Sequence, residues 1–158
     1  MDLKDCPNCG SLNLKRSLLE VTRDVAGFQF AAKVAGFACP HCGERFFDGQ
    51  PLIRLDLTIA LRLAEAGVLT PEALKFMRKA TGLNGKEFAE LLSVRPETVS
   101  RWESGKLPID RATYAIVHQL VTDQLHQTST TMDFLRSLAK PKHLPKKLRL
   151  GNIEAAKA

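Results

Sequence analysis

Two short cysteine motifs restrict the fold of this chain more than any other feature of its sequence. Residues 6 to 11 read CPNCGS and residues 39 to 44 read CPHCGE, and these motifs hold all 4 cysteines of the chain. Two Cys-X-X-Cys turns supply four thiolates to a single tetrahedral ion, and soft thiolates favour zinc. We therefore predict one Zn²⁺ per chain, and because four protein ligands leave no open position for water, this ion would be structural. The predicted ligands are Cys6, Cys9, Cys39 and Cys42.

Other uses of the four thiols stay open at this point. One Cys-X-X-Cys pair can act as a redox centre, although no βαβ pattern surrounds either pair, and the thiols can also be independent buried side chains. His41 lies inside the second motif and could replace a neighbouring thiol as a ligand. Neither paired carboxylates nor a nucleophile with a base occur at a spacing that suggests catalysis, so we predict that the protein is not an enzyme.

Composition and charge limit the partners of the chain. Its 158 residues are 44% hydrophobic and 25% charged, which suits two small globular domains. No run approaches the roughly 18 apolar residues of a membrane span, and DLKDC after Met1 lacks the apolar core of a secretory signal, so we predict a cytoplasmic protein without a membrane partner. Residues 140–158 hold six basic residues and one acidic residue, a net +5 of the total +6. We expect residues 141–158 to form a flexible basic tail, which either helps to hold phosphates or is simply solvated.

The segment between the cysteine motifs reads as strand material. Residues 12 to 38 contain two runs of pleated-surface residues separated by Gly27, and a hairpin there would bring the two motifs together. We predict a zinc-ribbon-like β module over residues 1–49. The following segment is ambiguous because its apolar residues alternate over 52–63 as in a strand. Its length, Pro51 near its start and Gly67 as a stop favour a linker helix over 50–69.

The second half of the chain fits a helix-turn-helix. Thr70 is a suitable N-cap and Pro71 a suitable first residue for a helix. In the stretch 85–102, a small residue, Ala89, stands where two helices would cross, and the predicted buried residues of the pair are Phe88, Leu91, Leu92, Val99 and Trp102. We predict a helix-turn-helix domain over residues 70–126 and a short helix over 127–140.

A family resemblance follows from these motifs. Residues 70 to 110, above all ETVSRWESGKLPI, resemble the Xre/Cro-type helix-turn-helix of bacterial and phage repressors. The segment CPNC…CPHCGE resembles the zinc finger of MqsA-type antitoxins, also called YgiT-type, and a zinc module followed by an Xre module is the architecture of that family. The resemblance implies a mainly α protein with a small β zinc module and a five-helix Xre-type domain. It also implies that the zinc module binds and neutralises a ribonuclease toxin, while the other module forms a homodimer that binds its double-stranded DNA operator and represses its own operon.

The resemblance to a helix-turn-helix also indicates which side chains would contact DNA. In a helix-turn-helix the second helix enters the major groove, and Arg101 on it could bind guanine O6 and N7 for about 1–3 kcal/mol of discrimination. Thr98 and Ser100 could reach a phosphate or a base edge, and Glu97 could accept a bond from cytosine N4. Three further cations would position the DNA backbone: Lys86, Arg95 and Lys106. The alternatives are an ion pair between Arg101 and Glu97 on one helix face and plain solvated side chains for the others.

The chain departs from the usual family pattern at four positions. Gly85 replaces the usual Gln, and Ser93 replaces a Gly of the turn, where a left-handed backbone would cost about 1 kcal/mol. Arg95 replaces the usual Ser or Thr cap, and Glu97 replaces an amide that reads a base, so we expect a different preferred operator.

The charge of residues 70–126 bears on how the protein would bind DNA. This range has eight basic and seven acidic residues, and so little net charge predicts a dimer whose two heads share the binding. The apolar stripe of the 111–125 helix would either form that dimer or close the core of the monomer. A stand-alone regulator, whose zinc module only docks against the DNA-binding domain, would show the same sequence features.

Overall fold

The computed structural model describes residues 4–12 and 14–139, which form a three-stranded antiparallel sheet followed by six helices. The strands come first, in the order β1, β2, β3 across the sheet. The elements are β1 (Lys15–Val25), β2 (Phe28–Ala38), β3 (Arg45–Phe47), α1 (Gly49–Glu65), α2 (Pro71–Ala80), α3 (Gly85–Leu91), α4 (Pro96–Glu103), α5 (Arg111–Leu125) and α6 (Thr130–Leu138).

The predicted hairpin is confirmed. β1 and β2 pair along their full length, and the turn between them places Ala26 at φ 52° and Gly27 at φ 82°, the two left-handed positions that a two-residue hairpin turn requires. Both cysteine motifs therefore adjoin the open end of the hairpin. β3 adds to the other side of β2, where Gly36 is required because a Cβ there would lie 2.6 Å from the carbonyl oxygen of Phe46.

The ambiguous segment after the sheet is helical. α1 runs from Gly49 to Glu65, and most of its buried residues belong to the same core as the later helices, so this helix does more than connect two parts of the chain. The hydroxyl of Tyr114 on α5 donates to the carbonyl oxygen of Ala64 at 2.8 Å and fastens the end of α1. The buried residues of α1 are Leu57, Ile59, Ala60, Leu63 and Ala64.

Residues 70–126 contain the four helices α2 to α5, and α1 contributes a fifth helix to their core. As predicted, Thr70 caps α2, since its hydroxyl accepts the N–H of Ala73 at 3.2 Å. Asn84 and Glu87 form a reciprocal capping box at the start of α3. The apolar stripe of α5 is buried within this chain, at Val117, Leu120 and Val121, so it closes the core of the monomer.

The turn end of the hairpin rests on the helices. Val25, Ala26 and Phe30 pack against the helical core, and Arg23 Nε lies 3.8 Å from Asp56 Oδ1 on α1. Strands of 11 residues span about 33 Å, so the cysteine motifs lie roughly that far from this contact.

The last described helix, α6, is attached to α5 by a side chain. Asp123 is buried on α5, and its Oδ2 accepts the N–H of Thr131 at 2.7 Å in the first turn of α6. Two apolar side chains of α6, Phe134 and Leu138, are exposed. The predicted basic tail over 141–158 lies outside the described residues. Within the part of the chain that the structure describes, no helix combines the length and apolar character that crossing a membrane requires.

Candidate metal centre and nucleic-acid interface

The two cysteine motifs fold into the same turn. In the first motif, the N–H of Gly10 donates to the carbonyl oxygen of Cys6 at 2.8 Å, and the N–H of Cys6 donates to the carbonyl oxygen of Ser11 at 2.9 Å. The second motif repeats both bonds at the corresponding positions, each at 2.9 Å. Gly10 and Gly43 adopt φ values of 71° and 74°, which glycine reaches without strain. The shared Cys-Pro-X-Cys-Gly pattern thus produces two equivalent turns, each presenting two sulfurs.

The sulfurs of the two turns meet at one point. Cys6 Sγ lies 3.6 Å from Cys42 Sγ, Cys9 Sγ lies 3.7 Å from Cys39 Sγ, and all four sulfurs lie within 4.8 Å of one another. Zn–S bonds of about 2.3 Å place the corners of a tetrahedron about 3.8 Å apart, whereas a disulfide needs about 2.05 Å. The distances therefore fit four ligands of one metal ion and exclude two disulfides.

The thiols hold their protons unequally. Backbone N–H groups, Cys42 first and His41 also, together with the neighbouring sulfurs lower the pKa of Cys39 to about 6, against the effect of desolvation. The N–H of Ser11 favours the thiolate of Cys9, but desolvation and the other three sulfurs outweigh it and raise the pKa of Cys9 to about 12. A thiolate at one cysteine thus disfavours deprotonation of the neighbouring thiols. A metal cation among the sulfurs reverses this effect, because coordinated thiols lose their protons.

Half of this cluster is protected from solvent. Cys6 and Cys39 are buried, whereas Cys9 and Cys42 are exposed, so the cluster lies at the surface of the sheet module. His41 is exposed, and the metal-binding group found among the described residues consists of the four cysteines without it. The residues therefore fit a closed four-thiolate site.

The second candidate site is the pair α3 and α4. Ala89 is fully buried, and its carbonyl oxygen accepts the N–H of Val94 at 2.9 Å across the turn. Ser93 has φ 55°, the left-handed conformation expected from the Gly that commonly occupies this position. On α4, Val99 and Trp102 face the core with 2% and 6% exposure, so the opposite face of the helix is directed away from the protein.

That opposite face carries the predicted DNA contacts. Glu97, Ser100 and Arg101 are exposed on α4, and Thr98 is half-buried. Three predicted backbone contacts flank this face and are also exposed: Arg95, Lys106 and Lys86. Lys86 Nζ lies 3.9 Å from Glu90 on its own helix. The alternative considered for Arg101 was an ion pair with Glu97. The ion pairs among the described residues do not include that one.

Two basic residues of α2, Lys75 and Arg78, differ in their exposure to solvent, which the sequence did not reveal. Lys75 is exposed and lines one groove with Lys86 and Ser100, which makes it an additional candidate for contacting a phosphate. Arg78 is buried and paired with Glu103, so it is not available to DNA. The helical period places Lys75 opposite the buried residues of α2, but only the packing of α2 against α4 shows that it shares this groove.

The sequence matches a family of known proteins. No curated protein matches the sequence. The family described as the antitoxin component of a bacterial toxin-antitoxin system, MqsA, matches residues 4–127. This range contains the four cysteines and the helices α1 to α5, and it ends before α6. The chain therefore belongs to the MqsA family of antitoxins.

Proposed function

We propose that this protein is a DNA-binding antitoxin that represses its own operon and neutralises a ribonuclease toxin, without enzymatic activity of its own. In this proposal residues 1–49 form the metal-bound module that binds the toxin, residues 50–69 link it to the core, and residues 70–126 form an Xre-type helix-turn-helix domain. The observation that carries the proposal is the exposed polar face of α4, held outward by the buried Val99 and Trp102.

The contacts to DNA divide into two kinds. Arg101, Ser100, Thr98 and Glu97 on α4 would lie at base edges in the major groove, with Arg101 forming two bonds to a guanine. Cations on three neighbouring segments would bind phosphates and fix the position of α4 in the groove: Lys75, Lys86, Arg95 and Lys106. Two copies of the chain would bind together as a homodimer, each with its α4 in one half-site.

Zinc is the metal that four thiolates favour, and Cys6, Cys9, Cys39 and Cys42 would hold it. When bound, the ion crosslinks the two cysteine turns and supplies folding energy to a small sheet. The four sulfurs fill a tetrahedral site, so this role is structural, and DNA binding is left to α4 in the helical domain.

Replacing Arg101 tests the DNA-binding site. We expect Arg101→Ala to reduce the preference for the selected operator over scrambled DNA by about 5- to 150-fold, corresponding to about 1–3 kcal/mol, while salt-dependent weak binding persists. The operator would first be selected by the parent protein from a random duplex library. Arg62→Ala, which removes an exposed cation of α1, is the matched control and should bind as the parent does. Operator preference unchanged in Arg101→Ala would contradict the site.

The partner of the metal module requires a separate test. The packing of Val25, Ala26 and Phe30 on the helical core favours a second candidate, a stand-alone regulator whose metal module only docks internally. Co-expression of the full chain with the product of the adjacent reading frame distinguishes the two. A stoichiometric complex that inhibits that product's ribonuclease activity supports the antitoxin, whereas operator binding without such a complex supports the stand-alone regulator.

A further inference from the structure

We propose that Asn84, which is followed by Gly85, is a site of spontaneous deamidation, and that its isoaspartyl product releases the first turn of α3. The sequence contains one Asn-Gly pair, and it lies at the start of the helix-turn-helix pair α3 and α4. The modification itself is independent of the proposed function, whereas its effect on operator binding rests on that function.

The reaction requires no partner other than water. The backbone nitrogen of Gly85 attacks the side-chain Cγ of Asn84 and loses its proton, while the bond between Cγ and Nδ2 breaks and ammonia leaves. The resulting cyclic succinimide is opened by water at one of its two carbonyl groups. One opening gives aspartate at position 84, and the other gives isoaspartate, in which the main chain runs through the former side chain.

The attacking nitrogen is accessible. Gly85 is the first residue of α3, so its N–H has no partner within the helix. Within the part of the chain that the structure describes, this N–H donates no hydrogen bond, and no atom lies within 4 Å of the position that a Cβ on Gly85 would occupy. Asn84 is exposed to the water that opens the succinimide.

The attacked amide is activated by the bonds that cap the helix. Asn84 Oδ1 accepts the N–H of Lys86 at 3.0 Å and the N–H of Glu87 at 2.9 Å. Two donors at this distance stabilise the negative charge that develops on Oδ1 as the nitrogen adds to Cγ. The N-cap geometry therefore places the amide beside Gly85 and polarises it towards attack.

The two products differ in their effect on α3. Asn84 also donates its N–H to Glu87 Oε2 at 2.8 Å, and its carbonyl oxygen accepts the N–H of Phe88 at 3.0 Å. Aspartate keeps the side-chain oxygen that caps the helix. Isoaspartate adds a carbon to the main chain between the Cα of residue 84 and Gly85, so the reciprocal bonds of the capping box no longer match the helix.

The first turn of α3 belongs to the proposed DNA-binding surface. Lys86 lines one groove with Lys75 and Ser100, and the residue before Asn84, Leu83, is held by Arg78 through its carbonyl oxygen at 2.7 Å. A longer main chain at position 84 would move Lys86 relative to Ser100. Formation of isoaspartate should therefore weaken operator binding as the protein ages.

The modification is tested on the folded full chain, incubated for weeks at neutral pH beside a fresh sample. Trypsin cleaves after Lys79 and Lys86, and the peptide 80–86 contains no Asn other than Asn84. We expect this peptide to gain the mass difference between a hydroxyl and an amino group, and an isoaspartyl methyltransferase to label part of the product. Gly85→Ala should slow the conversion by roughly tenfold, because a Cβ hinders the approach of the nitrogen. This variant should fold as the parent does, since Gly85 is not at a positive φ and the added Cβ has open space.

The consequence is tested by hydrogen exchange and by DNA binding. In the separated isoaspartyl form we expect protection of the Glu87 amide and affinity for the operator each to fall by about fivefold, the effect of losing a helix cap. Asn84→Asp, which represents the other product, should keep the protection of Glu87. Gly85→Ala aged under the same conditions should keep its starting affinity for the operator.

Each outcome decides one level of the proposal. An aged parent with an unchanged 80–86 peptide, or equal conversion in Gly85→Ala, would overturn the modification site. Full protection of Glu87 in the isoaspartyl form would overturn the release of α3. A parent that selects no DNA sequence when fresh would reject the proposed function instead, and the peptide and amide measurements would still decide the inference.

Discussion

At the residue scale, Arg78 and Glu103 form a buried ion pair that joins α2 to the last turn of α4. Arg78 Nε donates to Glu103 Oε1 at 2.5 Å and Nη2 donates to Oε2 at 3.1 Å, while Nη1 donates to the carbonyl oxygen of Leu83 at 2.7 Å. The two side chains are 9% and 13% exposed. One guanidinium on α2 therefore bonds both to α4, which is proposed to lie on DNA, and to the loop before α3.

Removing one member of this pair should be costly. We expect Arg78→Met and Glu103→Gln each to lower the free energy of unfolding by about 3–5 kcal/mol, because the remaining group stays buried without its partner. Urea denaturation measures this cost. The double variant should lose much less than the sum of the two, and Lys79→Met, an exposed neighbour on α2, serves as the control. Additive effects in the double variant would show that the two groups do not interact.

At the element scale, α6 takes its N-terminal cap from another helix. Its own N-cap residue, Ser129, makes no side-chain bond to the helix backbone, and the carboxylate of Asp123 accepts the Thr131 N–H instead. Burial raises the pKa of Asp123, but the hydrogen bonds from Thr131, Gln119 and Thr128 outweigh it, so this pKa lies below its ordinary value. The stabilisation of α6 is therefore complete above about pH 3.9, the unfolded pKa of Asp, and is lost as the pH falls through the lower folded value.

Neutralising Asp123 should release α6 without unfolding the core. We expect Asp123→Asn to cost about 1 kcal/mol at neutral pH, the usual contribution of a helix cap, and to reduce hydrogen-exchange protection of the Thr131 amide by about fivefold. Asp133→Asn, which changes an exposed carboxylate of the same helix, should keep that protection. Equal protection of Thr131 in the parent and in Asp123→Asn would show that the carboxylate does not anchor α6.

At the scale of the whole molecule, the sheet and the helices depend on different sources of stability. The helices share one core of buried side chains, whereas β1 has one buried residue, Val21, and the sheet ends at the cysteine cluster. The free energy of binding zinc to small peptides is about 10–16 kcal/mol, enough to decide whether such a sheet folds.

Metal removal should therefore unfold one part of the molecule. We expect a chelator to release one zinc per chain and to abolish hydrogen-exchange protection in residues 15–47, while α2 to α5 stay protected because their core contains no metal ligand. Cys39→Ser should behave like the chelated protein. His41→Ala, which changes a residue of the same turn outside the ligand group, should retain the metal. Loss of protection in the helices at the same chelator concentration would show that the two parts unfold as one.

The features that depend on neighbouring residues could be predicted from the amino-acid sequence. The Cys-Pro-X-Cys-Gly spacing predicted two turns with paired sulfurs, Thr70 and Pro71 predicted the start of α2, and the hairpin followed from the two strand patterns around Gly27. Each of these depends on contacts within a few residues along the chain or on regular strand pairing.

Which charged residues are buried and which face a groove depends on how the helices pack and could not be predicted. In the sequence, Arg78 and Lys75 count equally as basic residues of the helical domain. In the structure, Arg78 pairs with Glu103, 25 positions away, whereas Lys75 lines a groove with Lys86. The role of Asp123 as the cap of α6 was equally invisible, because Ser129 stands where a cap is expected. Burial and long-range pairing depend on how the helices pack, and no local pattern of residues encodes that packing.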